Sequence, residues 1–184
     1  TDPVSLQHSA RVAEHIKEII RGAGGWIPFS KYMELAMFAP GLGYYSAGAA
    51  KIGTAGDFTT APEMSSLFGA TLAKQVAQVL AVTGGDVLEF GAGSGKLAGD
   101  LIRALQKIGC EPRQYLILEP SADLRDRQQA FLAKEIPNWI SRIQWLERMP
   151  ENFCGVMIAN EVLDAMPKRV SASTLSGEPR RLAP

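Results

Sequence analysis

The stretch that most constrains this chain runs from Asp86 to Leu97 and reads Asp-Val-Leu-Glu-Phe-Gly-Ala-Gly-Ser-Gly-Lys-Leu. Gly84 and Gly85 set off a short apolar run, which reads as a buried strand. Glycines then alternate at 91, 93 and 95, and Leu97, Leu101, Ile102, Leu105 and Ile108 follow at helical spacing. Strand, glycine turn and helix in that order predict an α/β fold with a nucleotide site at the C-terminal edge of a parallel sheet. Glycine suits such a turn because, with no Cβ, it lets the backbone bend sharply and come close to a ligand.

The spacing narrows the ligand. A dinucleotide fingerprint asks for G-x-G-x-x-G, and aligned on Gly91 and Gly93 its third glycine falls on Lys96. Lys96 does not make a phosphate loop either, because that motif needs Ser or Thr next and Leu97 stands there. Glu89 sits at the end of the strand, and Glu89-Phe90-Gly91-Ala92-Gly93-Ser94-Gly95 resembles the first motif of the class I S-adenosylmethionine methyltransferases. Two other readings of the turn are a nicotinamide or flavin site and a βα turn that binds nothing.

The rest of the chain supplies the other layers. Ser9–Arg21 is expected as a helix with Val12, Ile16, Ile19 and Ile20 on one face, which leaves His8 and His15 at the surface. Ser30 is expected to cap a second helix that Pro40 stops. Tyr44 and Tyr45 read as packing residues. Residues 46–63 form a long glycine- and threonine-rich loop of the kind that is usually functional. A helix is expected over 64–82. Strands are expected at 115–118, 143–146 and 155–159, with a helix at 122–134 between the first two. The alternation predicts a parallel sheet in the order 3-2-1-4. Residues 168–184 show neither period and read as an irregular tail. In that order the fourth strand is an apolar edge, which predicts dimerisation, aggregation or cover by the tail.

Three patches together carry a closer resemblance: Gly56-Asp57-Phe58-Thr59-Thr60-Ala61-Pro62-Glu63, the glycine motif, and Asn160-Glu161-Val162-Leu163-Asp164-Ala165-Met166-Pro167. The chain resembles the MidA family of S-adenosylmethionine-dependent methyltransferases, from about the first helix to Pro167. That resemblance implies a Rossmann-like fold, S-adenosyl-L-methionine as cofactor and methylation of a protein arginine. It also implies that mitochondrial members act in respiratory complex I assembly on one of its subunits. Family members run further, so the chain reads as the front half of such an enzyme. The expected division is helices and loop over 1–83, the front of the cofactor domain over 84–167, and the tail. Location is expected in the cytoplasm, or in mitochondria if the source is eukaryotic.

Roles follow from the resemblance. Gly91, Ala92, Gly93 and Gly95 would let the backbone approach the methionine part, with Glu89 engaging its ammonium. Glu119, at the end of the second strand, would accept from both ribose hydroxyls. Leu146 and Glu147 would flank the adenine, and Asn160 and Glu161 would sit where the fourth strand opens onto the cofactor. Asp57 and Glu161 first, then Glu63 and Asp164, are the candidate acids for a substrate guanidinium. Each has an ordinary structural reading as a cap or a solvated strand end. The alternative functions are an inactive cofactor-binding or client-binding assembly module and a nicotinamide-linked reductase.

Composition adds exclusions. With 19 basic and 19 acidic residues there is no net field to favour nucleic acid or an anionic membrane. Cys110 and Cys154 show neither metal-ligand spacing nor a disulfide framework, so a reduced interior is expected and no metal. No apolar run is long enough to span a bilayer.

Overall fold

The computed structural model describes residues 3–46 and 59–167, together with the backbone of Ser171–Ser173 and Pro179–Arg181. Its helices are α1 (Pro3–Gly22), α2 (Phe29–Phe38), α3 (Ala61–Met64), α4 (Ser66–Thr83), α5 (Lys96–Ile108) and α6 (Ala122–Glu135). Its strands are β1 (Asp86–Phe90), β2 (Tyr115–Leu118), β3 (Ile143–Leu146), β4 (Gly155–Ala159), β5 (Ser171–Ser173) and β6 (Pro179–Arg181). The chain divides into two compact units, one of residues 1–48 and 164–184, the other of residues 49–163.

The second unit holds the sheet. Its strands lie in the order β3-β2-β1-β4 and all pair in parallel, with Leu88 opposite Leu116 on one side and Met157 on the other. This is the order the alternation of elements predicts. Val87, Leu88, Tyr115 and Ile117 are fully enclosed. Helix α5 buries Leu97, Ala98, Leu101, Ile102 and Leu105, and α4 buries Ala73, Val76 and Leu80. Each fully buried leucine contributes roughly 1.5–3 kcal/mol of transfer free energy. The stripe read at 97, 101, 102 and 105 is therefore the core face of α5, whereas Ile108, read as part of the same stripe, ends the helix 47% exposed.

Three local differences from expectation have plain causes. The helix expected over 64–82 is two helices, because Ser65 is extended and its hydroxyl caps α4 by accepting from the Leu67 N–H at 3.1 Å. A 3-10 helix over Pro137–Arg142 precedes β3, with Trp139 buried. In the stretch read as irregular, β5 and β6 pair antiparallel.

In the first unit, α2 starts at Phe29 after Pro28 rather than from a Ser30 cap, and no side chain caps it. His8 is partly buried and donates from Nε2 to the Leu42 carbonyl at 2.9 Å, so it does not lie free at the surface. Tyr45 stacks on Phe38 with centroids 5.6 Å apart and meets Tyr44 edge-on at 5.1 Å, the packing role expected of the pair.

Candidate functional site

The site begins where β1 leaves the sheet. Gly91, Gly93 and Gly95 take φ of 58°, 56° and 85°, the left-handed region that penalises a Cβ. The Gly91 N–H donates to the Leu118 carbonyl at 3.0 Å, which ties the turn to the end of β2. Gly95 serves as the N-cap of α5 with no side-chain cap bond, and the Ser94 hydroxyl accepts from the Lys96 N–H at 3.2 Å. The Lys96 ammonium is paired with Asp100 at 2.6 Å, and Asp100 also holds Arg103 at 2.6 Å. Lys96 is thus engaged along its own helix.

Two buried carboxyl groups lie at the C-terminal ends of β1 and β2. Glu89 is the penultimate residue of β1 rather than its end, and it is only 2% exposed. Burial pushes its carboxyl up to about 7; the hydrogen bond from the Tyr115 hydroxyl at 2.7 Å opposes the rise and the charge of Glu119 adds to it. Burial also raises Tyr115 well above its ordinary value, with the charge of Glu89 adding to the rise.

Glu119 follows β2 and is 4% exposed. Its Oε1 accepts from the Ser121 N–H at 3.0 Å and its Oε2 from Gln128 Nε2 at 3.2 Å. Burial raises its carboxyl, and these two bonds and the charge of Arg125 oppose the rise. Gln128 Nε2 also donates to the Gly93 carbonyl at 3.0 Å, while Gln128 Oε1 accepts from Trp145 Nε1 at 2.9 Å. One amide thereby joins the turn, the end of β2 and the strand β3. Leu146, the last residue of β3, is partly buried, and its carbonyl accepts from the Glu119 N–H at 3.4 Å.

The remaining expected residues divide. Glu63 on α3 accepts from the Ser94 hydroxyl, so an acid from the long loop is brought onto the glycine turn. Asn160 is partly buried just beyond β4 and Glu161 is exposed. Glu161 has φ 53°, the one positive value at a non-glycine residue among the described residues. Left-handed backbone at such a residue costs on the order of 1–3 kcal/mol and clusters at functional sites. Val162 folds back so that a Cβ on Gly91 would stand 3.5 Å from it, which sets this segment over the turn. Asp164 groups with the other compact unit. Asp57 lies outside the described residues.

Sequence reading missed Ser94, Tyr115, Gln128 and Trp145. Gln128 carried a signal: it sits four residues from Leu132 and three from Phe131, a polar residue on the apolar stripe of a polar helix. Ser94 and Trp145 carried none, because their roles depend on partners far away in the chain.

The profile of a family described as "Putative S-adenosyl-L-methionine-dependent methyltransferase" matches residues 71–180. The Caenorhabditis elegans protein arginine methyltransferase NDUFAF7 homolog, mitochondrial, is 30% identical over 186 residues, covering 86% of this chain and 43% of its own. The human protein arginine methyltransferase NDUFAF7, mitochondrial, is 32% identical over 130 residues, covering 66% of this chain and 29% of its own. This chain therefore spans less than half the length of these curated relatives. Among solved structures, a Burkholderia thailandensis protein bound to S-adenosyl-homocysteine matches with a TM-score of 0.85 at 43% identity, over 100% of this chain and 53% of its own. A native structure from the same organism matches with a TM-score of 0.81 at 46% identity, over 96% of this chain and 45% of its own.

Proposed function

Because the chain belongs to this family of S-adenosyl-L-methionine-dependent methyltransferases, we propose that it holds the cofactor at the glycine turn and, within the whole enzyme, methylates a protein arginine. The observation that carries the reading is Glu119. It is a buried strand-end carboxylate in which each oxygen accepts one bond, from Ser121 or Gln128. One lone pair on each oxygen is then left for the two ribose hydroxyls. The backbone of Gly91, Gly93 and Gly95 is left-handed, as close approach requires, Ala92 lies between the first two, and Leu146 and Asn160 border the same sheet edge. Glu89, with the Tyr115 hydroxyl as its one hydrogen-bond partner among the described residues, is the group proposed for the ammonium.

When bound, S-adenosylmethionine supplies an electrophilic methyl group on a positively charged sulfur. The protein's task is to present the arginine. A guanidinium is protonated at any working pH and attacks poorly until oriented with its charge balanced. Carboxylates fork onto it in a fixed plane and can take up the proton it loses as the new bond forms. Asp57 and Glu161 are proposed first for this clamp, and Glu63 and Asp164 as the second candidates. The curated relatives are named as mitochondrial arginine methyltransferases. A protein substrate such as a respiratory complex I subunit, and a mitochondrial location in a eukaryotic cell or a cytoplasmic one in a bacterium, are proposed on the same footing. Among the described residues, no helix is long and apolar enough to cross a membrane.

Calorimetry tests the cofactor. Binding of S-adenosylmethionine and S-adenosylhomocysteine with no heat from NADH is expected, and the reverse would replace this reading with a reductase. Saturable cofactor binding with no methyl transfer by the full-length enzyme to any arginine-bearing client would favour the binding-module reading. In that enzyme, Asp57→Asn and Glu161→Gln should keep cofactor affinity within a few-fold and lower turnover by roughly 10²-fold or more. Normal methylation by both variants would remove the clamp.

A further inference from the structure

We propose that Gln128 is a positioning residue for the ribose: through its amide it sets the orientation of the Glu119 carboxylate and locks that carboxylate to the glycine turn. The proposal rests on the cofactor reading given above. Gln128 has no exposed surface, and with Leu132 it is one of two residues that α6 buries. Its amide makes three hydrogen bonds, two from Nε2, to Gly93 O and Glu119 Oε2, and one at Oε1, from Trp145 Nε1.

The amide has only one way to face. The Gly93 carbonyl and the Glu119 carboxylate can only accept, and the Trp145 indole can only donate, so a flipped amide would lose all three bonds. The two protons of Nε2 are both spent, one on the turn and one on the carboxylate. The same atom therefore fixes the distance between the backbone that would meet the methionine part and the acid that would meet the ribose. Ser121 holds the other carboxylate oxygen from the backbone. Glu119 is thus pinned at both oxygens, and the lone pairs left to it point in fixed directions. A single pinned oxygen would leave the carboxylate free to rotate about its last bond.

A purely structural role would make Gln128 matter to folding and to overall affinity alike. A positioning role makes it matter to the ribose hydroxyls in particular. The reading is therefore the ratio of dissociation constants for the 2′-deoxyribose analogue of S-adenosylhomocysteine and for S-adenosylhomocysteine itself, measured by calorimetry. In the unaltered protein the ratio should be roughly tenfold or more, as expected for a hydroxyl that donates to a charged acceptor.

Gln128→Met keeps the volume and removes every donor, and its ratio should fall to within about twofold of unity. Trp145→Phe removes the third bond and leaves both Nε2 bonds in place; it should lower the melting temperature but keep the ratio. Gln128→Asn, too short to reach both acceptors, should behave like the Met variant and decides the matter if the Met variant does not fold. An unchanged ratio in a folded Gln128 variant overturns the proposal. So does unfolding of both Gln128 variants, since the residue would then serve the core alone. No binding of S-adenosylhomocysteine by the unaltered protein would instead strike the cofactor reading, which separates the two failures.

Discussion

Position 89 is where the chain spends stability on a charge it does not need for folding. The Glu89 carboxyl goes from an ordinary value of 4.5 to about 7 because burial disfavours its ionised form. Below the unfolded value both states keep the proton and the residue costs nothing. As pH rises from 4.5 towards 7 the unfolded chain ionises first, so stability is lost across that window and levels off above it. Glu89→Gln removes the titration. Its urea midpoint should exceed that of the unaltered protein at about pH 8, by up to about 3 kcal/mol in stability, and the gap should close near about pH 5. A gap independent of pH would mean that Glu89 does not titrate in this window. If the cofactor ammonium meets Glu89, binding should release a proton and tighten between about pH 6 and pH 8. The turn gives a second test at this scale. Gly93→Val should abolish cofactor binding with far-UV circular dichroism nearly unchanged, because Gly93 has φ 56°, where a Cβ is strained, and on the proposed reading the side chain would block approach of the cofactor to the backbone.

Helix α4 comes close to α5 at Gly69. A Cβ on Gly69 would stand 2.8 Å from the Asp100 Cβ, closer than real side chains approach. The site faces a part of α5 whose carboxylate, Asp100, is itself buried between Lys96 and Arg103. Leucine is a better helix former than glycine by close to 1 kcal/mol. Gly69→Leu should nonetheless destabilise the protein by about 1–3 kcal/mol, because the helices must separate. Thermal unfolding decides this, and a raised midpoint would show that the two helices can slide apart freely.

Taken as a whole, the sheet is protected unevenly. Strands β1 and β2 have a partner on both sides, while among the described residues β4 pairs with β1 alone. Met157 on β4 is 50% exposed. Such an edge tends to recruit another strand. Sedimentation should show concentration-dependent association of this chain, and Met157→Lys should weaken it several-fold without changing the circular dichroism. A monodisperse monomer at all concentrations would remove the prediction.

The sequence by itself determined the four strands of the parallel sheet and their order. Hydrophobic period marked β1, β2, β3 and β4, the glycines marked the turn, and alternation of strand and helix implied β3-β2-β1-β4, because these are properties of neighbours in the chain. It also placed Glu119 at a strand end, where the structure has it. Only the tertiary structure decided which polar groups share a buried space. Tyr115 meets Glu89 across 26 positions, Ser94 meets Glu63 across 31, and Gln128 meets Gly93 across 35. Each partnership needs two separate elements packed at one distance before a proton can be shared. A one-dimensional pattern records that a residue faces inward, not what it meets there. Gln128 shows the difference: its spacing from Leu132 put it on the inner face of α6, and packing alone gave it Glu119, Gly93 and Trp145.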